Sequence, residues 1–166
     1  MTDERTKAVI LVVASLASFL VPYTGSSITV ALPAIGEQFG LDAVMLGWAA
    51  YIISAAVFIV PLSRLSDIIG RKRVFLWGVA IFTIASCSSS LAPTYQTLFI
   101  ARFVQGIGCA MLFGTSTAIV TQVFPKGERG RALGITVAAV YAGLSLGPFL
   151  VGGLNRCVRL VFHFSA

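Results

Sequence analysis

Short polar intervals cut this chain into five apolar runs, over residues 8–32, 43–63, 74–92, 96–121 and 132–154. Each is close to or longer than the roughly 20 residues that carry a helix across the hydrocarbon core of a bilayer. No water is present there to satisfy backbone N–H and C=O groups, and a run of this kind satisfies them within itself only as a helix. With 57% of residues hydrophobic and 11% charged, a water-soluble fold would lack the polar surface to cover such a core. The sequence therefore predicts an all-α polytopic membrane bundle of five transmembrane helices. Between the second and third runs, the segment LSDIIGRKR at residues 65–73 gathers charge and turn residues and predicts a tight hairpin. The first run is too long for the apolar part of a secretory signal and has Asp3 and Glu4 in front of it, so it reads as a retained span.

The distribution of charge sets the expected topology. Arg5 and Lys7 precede the first span, Arg64, Arg71, Lys72 and Arg73 sit between the second and third, and Lys126, Arg129 and Arg131 between the fourth and fifth. The intervals at 33–42 and 93–95 carry Glu37 and Asp42 but no Lys or Arg. Basic residues mark the cytoplasmic side, so the amino terminus is expected inside and the alternate intervals outside, in the cell membrane. This also accounts for a net charge of +6 without a nucleic-acid partner. Residues 155–166, with Arg156 and Arg159, would emerge on the outer side against this rule. They read as an atypical tail, as if the chain were cut off within a larger architecture.

Cys87, Cys109 and Cys157 have no paired spacing and His163 has no ligand-type neighbour, so no metal site is expected. The sequence offers no nucleophile elbow, phosphate-binding loop or membrane-buried acid pair, which points away from an enzyme and leaves no cofactor to expect.

Polar and small residues inside the spans carry the rest of the information. Pro22, Thr24, Gly25, Ser26 and Ser27 interrupt the first span. Two readings stand: a kink whose hydroxyls bond back to the backbone, or a break that lines a substrate cavity. Arg102 is the one ionisable residue placed well inside a span, and Gln105 lies one helical turn further on. An intramembrane arginine faces the protein interior or water, unless it sits near the interface and snorkels out. Gly106, Ala110, Gly114 and Ala118 form a row without bulk on the fourth span, and Gly134, Ala138, Ala142 and Ala139, Gly143, Gly147 form two such rows on the fifth. Rows of this kind let helices approach closely, and Gly147 followed by Pro148 supplies a bend.

Taken together, these residues resemble the amino-terminal part of a major facilitator superfamily transporter, nearest the fourteen-span drug:proton antiporter group. Leu65, Asp67, Gly70, Arg71 and Lys72 are similar to its loop signature between spans two and three. Arg102, Gln105, Gly106 and Gly108 are similar to its fourth-span signature, and Gly134, Gly143, Gly147 and Pro148 to its fifth-span antiporter signature. Ile28, Ala31, Leu32 and Pro33 resemble the end of the first-span signature, and Pro125, Glu128, Arg129 and Gly130 the loop before span five. The resemblance implies alternating access between two helical bundles, with small-molecule substrates, amphipathic cations among them, exchanged for protons. It implies a conformational latch at Asp67, Gly70, Arg71 and Lys72, a proton-coupling part for Arg102 and Gln105, and a packing hinge at Gly134, Gly143, Gly147 and Pro148. Thr24, Ser26 and Ser27 are candidates for lining the cavity.

The sequence departs from that pattern at several points. Thr24 stands where the first-span signature has an acid, Ser63 where the loop signature has its leading glycine, and Ile68 where an arginine is common. The paired glycines Gly152 and Gly153 come one residue late. A sixth span and a second bundle are missing. The chain is thus expected to be a truncated amino-terminal part, with two alternatives: a non-transporting remnant of an interrupted gene, or a small homo-oligomeric transporter in which copies supply the missing half.

Overall fold

The computed structural model describes residues 4–39 and 41–163, and five helices account for nearly all of them: α1 (Glu4–Phe39), α2 (Leu41–Ile69), α3 (Arg71–Ser90), α4 (Tyr95–Val123) and α5 (Arg129–His163). All five contain a stretch long and apolar enough to cross a membrane. The bundle is all-helical, with no strand among the described residues.

Three boundaries differ from the sequence expectation. The tight hairpin expected at 65–73 is present, with the span ends displaced: α2 runs on to Ile69 and α3 starts at Arg71, so the whole turn is Gly70. Its φ of 110° lies in the region that a Cβ disfavours, so glycine is required for this turn. The interval at 33–42 is helical on both sides of residue 40, although the side chains of Glu37 and Asp42 lie outside the described residues. Residues 155–163 continue α5 rather than forming a separate tail. Pro148 sits inside α5 without ending it.

Helix α4 is the centre of the bundle. It packs against each of the other four, whereas the most extensive contact of α1 is with α5. In α4 50% of the most apolar window is buried, against 17–28% in the other spans. One buried cluster joins Ala17 and Val21 of α1, Tyr51 of α2, Phe82 of α3, and Cys109 and Leu112 of α4. A second joins Ala14, Val120, Phe124 and Ala132 near the opposite end of α4. Large apolar side chains such as Val12, Leu16, Trp77, Ile84, Tyr141 and Phe149 point outward, as a surface solvated by lipid chains requires.

The three basic intervals meet at one end of the bundle. Lys7 bonds Glu4 at 2.7 Å and lies 3.8 Å from Glu128, which ties the start of α1 to the α4–α5 connection. Arg71 reaches Gln122 near the end of α4. Thr94 begins the other end, where its hydroxyl accepts from the Thr97 N–H and caps α4.

Candidate functional site

Arg102 lies in the seam between α2 and α4. Gly47 leaves room for its stem, since a Cβ there would come within 4.0 Å of the Arg102 Cγ. The guanidinium Nη1 donates to Gln105 Oε1 at 2.8 Å, Gln105 Nε2 donates to Ser86 Oγ at 2.8 Å, and Ser86 donates to the Phe82 carbonyl at 2.7 Å. Arginine has no acceptor, so Gln105 must turn its oxygen towards Arg102, and its amide hydrogens are then left for Ser86. Gln105 is fully buried. An unpaired amide there would cost about 1–3 kcal/mol, so the Ser86 and Arg102 bonds are what make a buried amide tolerable. The sequence pointed to Arg102 and Gln105 but not to Ser86. The small polar run from Ser86 to Ser90 in the third apolar stretch was the available signal.

Glycines set how closely α4 is held. A Cβ on Gly106 would overlap Ser54 Oγ and the Tyr51 carbonyl of α2. A Cβ on Gly108 would come within 2.7 Å of the Phe82 backbone nitrogen of α3. The two glycines are two residues apart, about 200° around the helix, so α4 is clasped from opposite sides. Gly78 of α3 completes the second contact, facing Met111 and Leu112. On α5, a Cβ on Gly143 would overlap the Phe19 carbonyl and one on Gly147 would overlap Ser26 Oγ, both on α1. Gly134 is different: nothing lies within 4 Å of a Cβ built there.

Of the two readings of the first-span interruption, the one in which hydroxyls bond back to the helix is what α1 shows. Thr24 donates to the Leu20 carbonyl at 2.8 Å and Ser27 to the Tyr23 carbonyl at 2.7 Å. Ser26 donates to the Tyr23 carbonyl at 3.2 Å and lies 3.3 Å from the Gly143 carbonyl of α5. These hydroxyls satisfy backbone acceptors, and Ser26 also joins α1 to α5.

At the Gly70 turn, Arg71 Nε and Nη2 donate to the same oxygen of Asp67, at 3.0 and 2.8 Å. Its Nη1 donates to the Ala118 carbonyl and to Gln122 Oε1 at 3.2 Å. The pairing of Asp67 is thus local, four residues along, while Arg71 ties the turn to the last turns of α4. Arg129 Nε donates to the Phe124 carbonyl at 2.8 Å, so two arginines meet the carboxyl-terminal end of α4, where the helix dipole favours cations. Lys72 is exposed and makes no hydrogen bond or ion pair among the described residues.

Among the described residues no group of three or more His, Cys, Asp or Glu side chains is placed to hold a metal ion. The pattern of the Major Facilitator Superfamily matches residues 14–166. The multidrug resistance protein Stp of Mycobacterium tuberculosis is 39% identical over 154 residues, covering 91% of this chain and 28% of that protein. The cephamycin export protein CmcT of Amycolatopsis lactamdurans is 38% identical, covering 91% of this chain and 32% of that protein. The riboflavin transporter RibZ of Clostridioides difficile is 31% identical over 152 residues, covering 90% and 33%. The chain spans about a third or less of the length of these curated relatives.

Proposed function

The chain belongs to the major facilitator superfamily, and we propose that it serves as the amino-terminal part of a proton-coupled exporter of small molecules that works by alternating access. Its relatives include proteins named for multidrug and antibiotic resistance and export, which supports efflux over uptake as the direction of transport. We place the basic end of the bundle on the cytoplasmic side of the cell membrane, because the Lys and Arg residues of the short intervals converge there. The second bundle needed for an enclosed pathway would come from further polypeptide or from self-association.

The observation that carries this reading is the half-buried Arg102 held by Gln105 and Ser86. An arginine does not release its proton in a protein. Its part in coupling is therefore electrostatic: it favours the charged form of a carboxyl group or a substrate anion brought near it. All six Asp and Glu residues of the chain lie at or beyond the ends of the spans, so the group that titrates is to be sought on the second bundle or at those ends. The Asp67–Arg71 pair and the Gly70 turn would hold one conformation of the basic end, and the α1–α5 glycine contact would let the two helices slide as access alternates.

The test joins this chain to the remaining part of Stp and follows accumulation of an amphipathic cationic dye in cells. The joined protein should lower dye accumulation, and a protonophore should abolish the effect. Arg102→Ala should reduce efflux at least about tenfold while membrane insertion stays intact. Efflux that survives the protonophore, or that is unchanged in Arg102→Ala, overturns the coupling role.

A further inference from the structure

Three hydrogen bonds run in one direction from α4 to α3. Arg102 donates to Gln105 at 2.8 Å, Gln105 donates to Ser86 at 2.8 Å, and Ser86 donates to the Phe82 carbonyl at 2.7 Å. Both ends of this series are chemically fixed, because a guanidinium only donates and a carbonyl only accepts. The middle is not fixed: a Gln amide has an acceptor and a donor end of similar shape and takes the orientation its neighbours impose. We propose that Ser86 is a positioning residue of the Arg102 site, holding the Gln105 amide with its oxygen towards the guanidinium whether or not Arg102 is bonded to it. This rests on the coupling role given to Arg102 above, and it adds the part that takes Arg102 back after an anion has drawn it away.

The hydroxyl of Ser86 has one hydrogen, which is spent on Phe82, so only its lone pairs remain for Gln105. An acceptor on that side draws the amide NH2 towards α3 and leaves Oε1 for α4. The Phe82 end is itself held, since a Cβ on Gly108 would come within 2.7 Å of the Phe82 backbone nitrogen. From that contact, about one helical turn towards the Thr94 end leads to Ser86 on α3 and to Gln105 on α4. The buried Ser116 of α4 shows the simpler case: it donates to the Leu112 carbonyl at 2.6 Å, but among the described residues no side chain donates to it. When Arg102 turns towards an anion, Gln105 keeps Ser86, so its oxygen stays where Arg102 left it. Without the Ser86 oxygen, the buried NH2 group has no acceptor in place, and the amide leaves this orientation to find one.

The experiment labels the arginines of the purified chain with 15N in detergent micelles, assigns Arg102 by the signal lost in Arg102→Lys, and measures solvent exchange of its guanidinium protons. Ser86→Ala should speed that exchange about fivefold, the factor for one hydrogen bond between neutral groups. Ser86→Thr, which keeps the oxygen and its hydrogen, should behave as the unaltered chain, and so should Ser116→Ala. In a Gln105→Glu background both oxygens accept and no NH2 needs a partner, so Ser86→Ala should add nothing further; a hydroxyl that served only packing would loosen both backgrounds alike. Unchanged exchange in Ser86→Ala, an equal rise in Ser116→Ala, or a full effect that persists beside Gln105→Glu overturns the proposal. Because the readout is the guanidinium and not dye efflux, the two readings fail separately. Exchange that responds as stated, beside efflux of the joined exporter that is unchanged in Arg102→Ala, removes the coupling role and leaves the orienting role of Ser86 standing.

Discussion

The α2–α4 and α1–α5 contacts are built from the same parts yet are held differently. In each, a glycine lies against the backbone of a Tyr-x-x-Ser segment: Gly106 against Tyr51 and Ser54, and Gly147 against Tyr23 and Ser26. The surroundings differ. Helix α4 is boxed by four neighbours and has Gly108 pressed on α3 from its other side, whereas α5 rests mainly on α1 and turns its remaining faces outward. A side chain added at Gly106 has nowhere to go, while one added on α5 can be relieved by a small retreat of that helix. The same small-residue device is thus a fixed joint in one place and a yielding one in the other.

The strongest test of that contrast is Gly106→Ala. The new methyl would meet backbone on α2 while α3 blocks the opposite movement, and the expected loss is about 3 kcal/mol or more, at the upper end for overpacking. Thermal unfolding in detergent should show it, and maleimide should reach the buried Cys109 in a chain whose other cysteines are serine. Next comes Gly143→Ala, expected to cost about 1–2 kcal/mol and to leave Cys109 protected. If Gly143→Ala destabilises as much as Gly106→Ala, the two joints are equivalent and the contrast fails. Gln105→Leu removes the acceptor of Arg102 and the donor to Ser86 together, with an expected loss of about 1–3 kcal/mol. Restoring stability by adding Arg102→Met, which removes the donor left without its acceptor, would identify the lost polar pairing as the cause. Gly134→Ala should change stability by less than about 0.5 kcal/mol, since its site is open. A large loss there would reveal a partner for that face of α5.

Much of this arrangement was legible in the residues. Run length and the absence of backbone partners in lipid gave the helices, and alternating basic intervals gave the end at which Lys7, Arg71 and Glu128 gather. The small-residue row on α4 announced a close approach but not its target. Tyr51 and Ser54 carry no mark in the sequence that distinguishes them from other residues of an apolar run, because which face meets which helix is decided by tertiary packing. Periodicity also gave Gly134 the same weight as Gly143, although two and a half helical turns separate them and only the latter meets α1. The charge cluster at 65–73 predicts a tight hairpin, which is present, but not as a stretch of loop between the helices. Its charged residues instead extend the ends of two helices, and Gly70 alone makes the reversal. In the first span, proline, glycine and hydroxyls in succession leave two readings open, and the hydroxyls bond to carbonyls one turn back, as the first of them expects.

That α1 finds its most extensive contact in α5 has a meaning for how the chain is made. A ribosome delivers α1 first and α5 last among these helices, so the earliest span waits in the membrane while every other one is synthesised. At synthesis rates of about 5–20 residues per second, that wait lasts on the order of several seconds. During it, the Ser26 hydroxyl and the unfilled Tyr23 to Ser27 surface are open to lipid and to insertion factors. Quality control should therefore sense α5 variants late, as chains already inserted whose first helix has never been claimed.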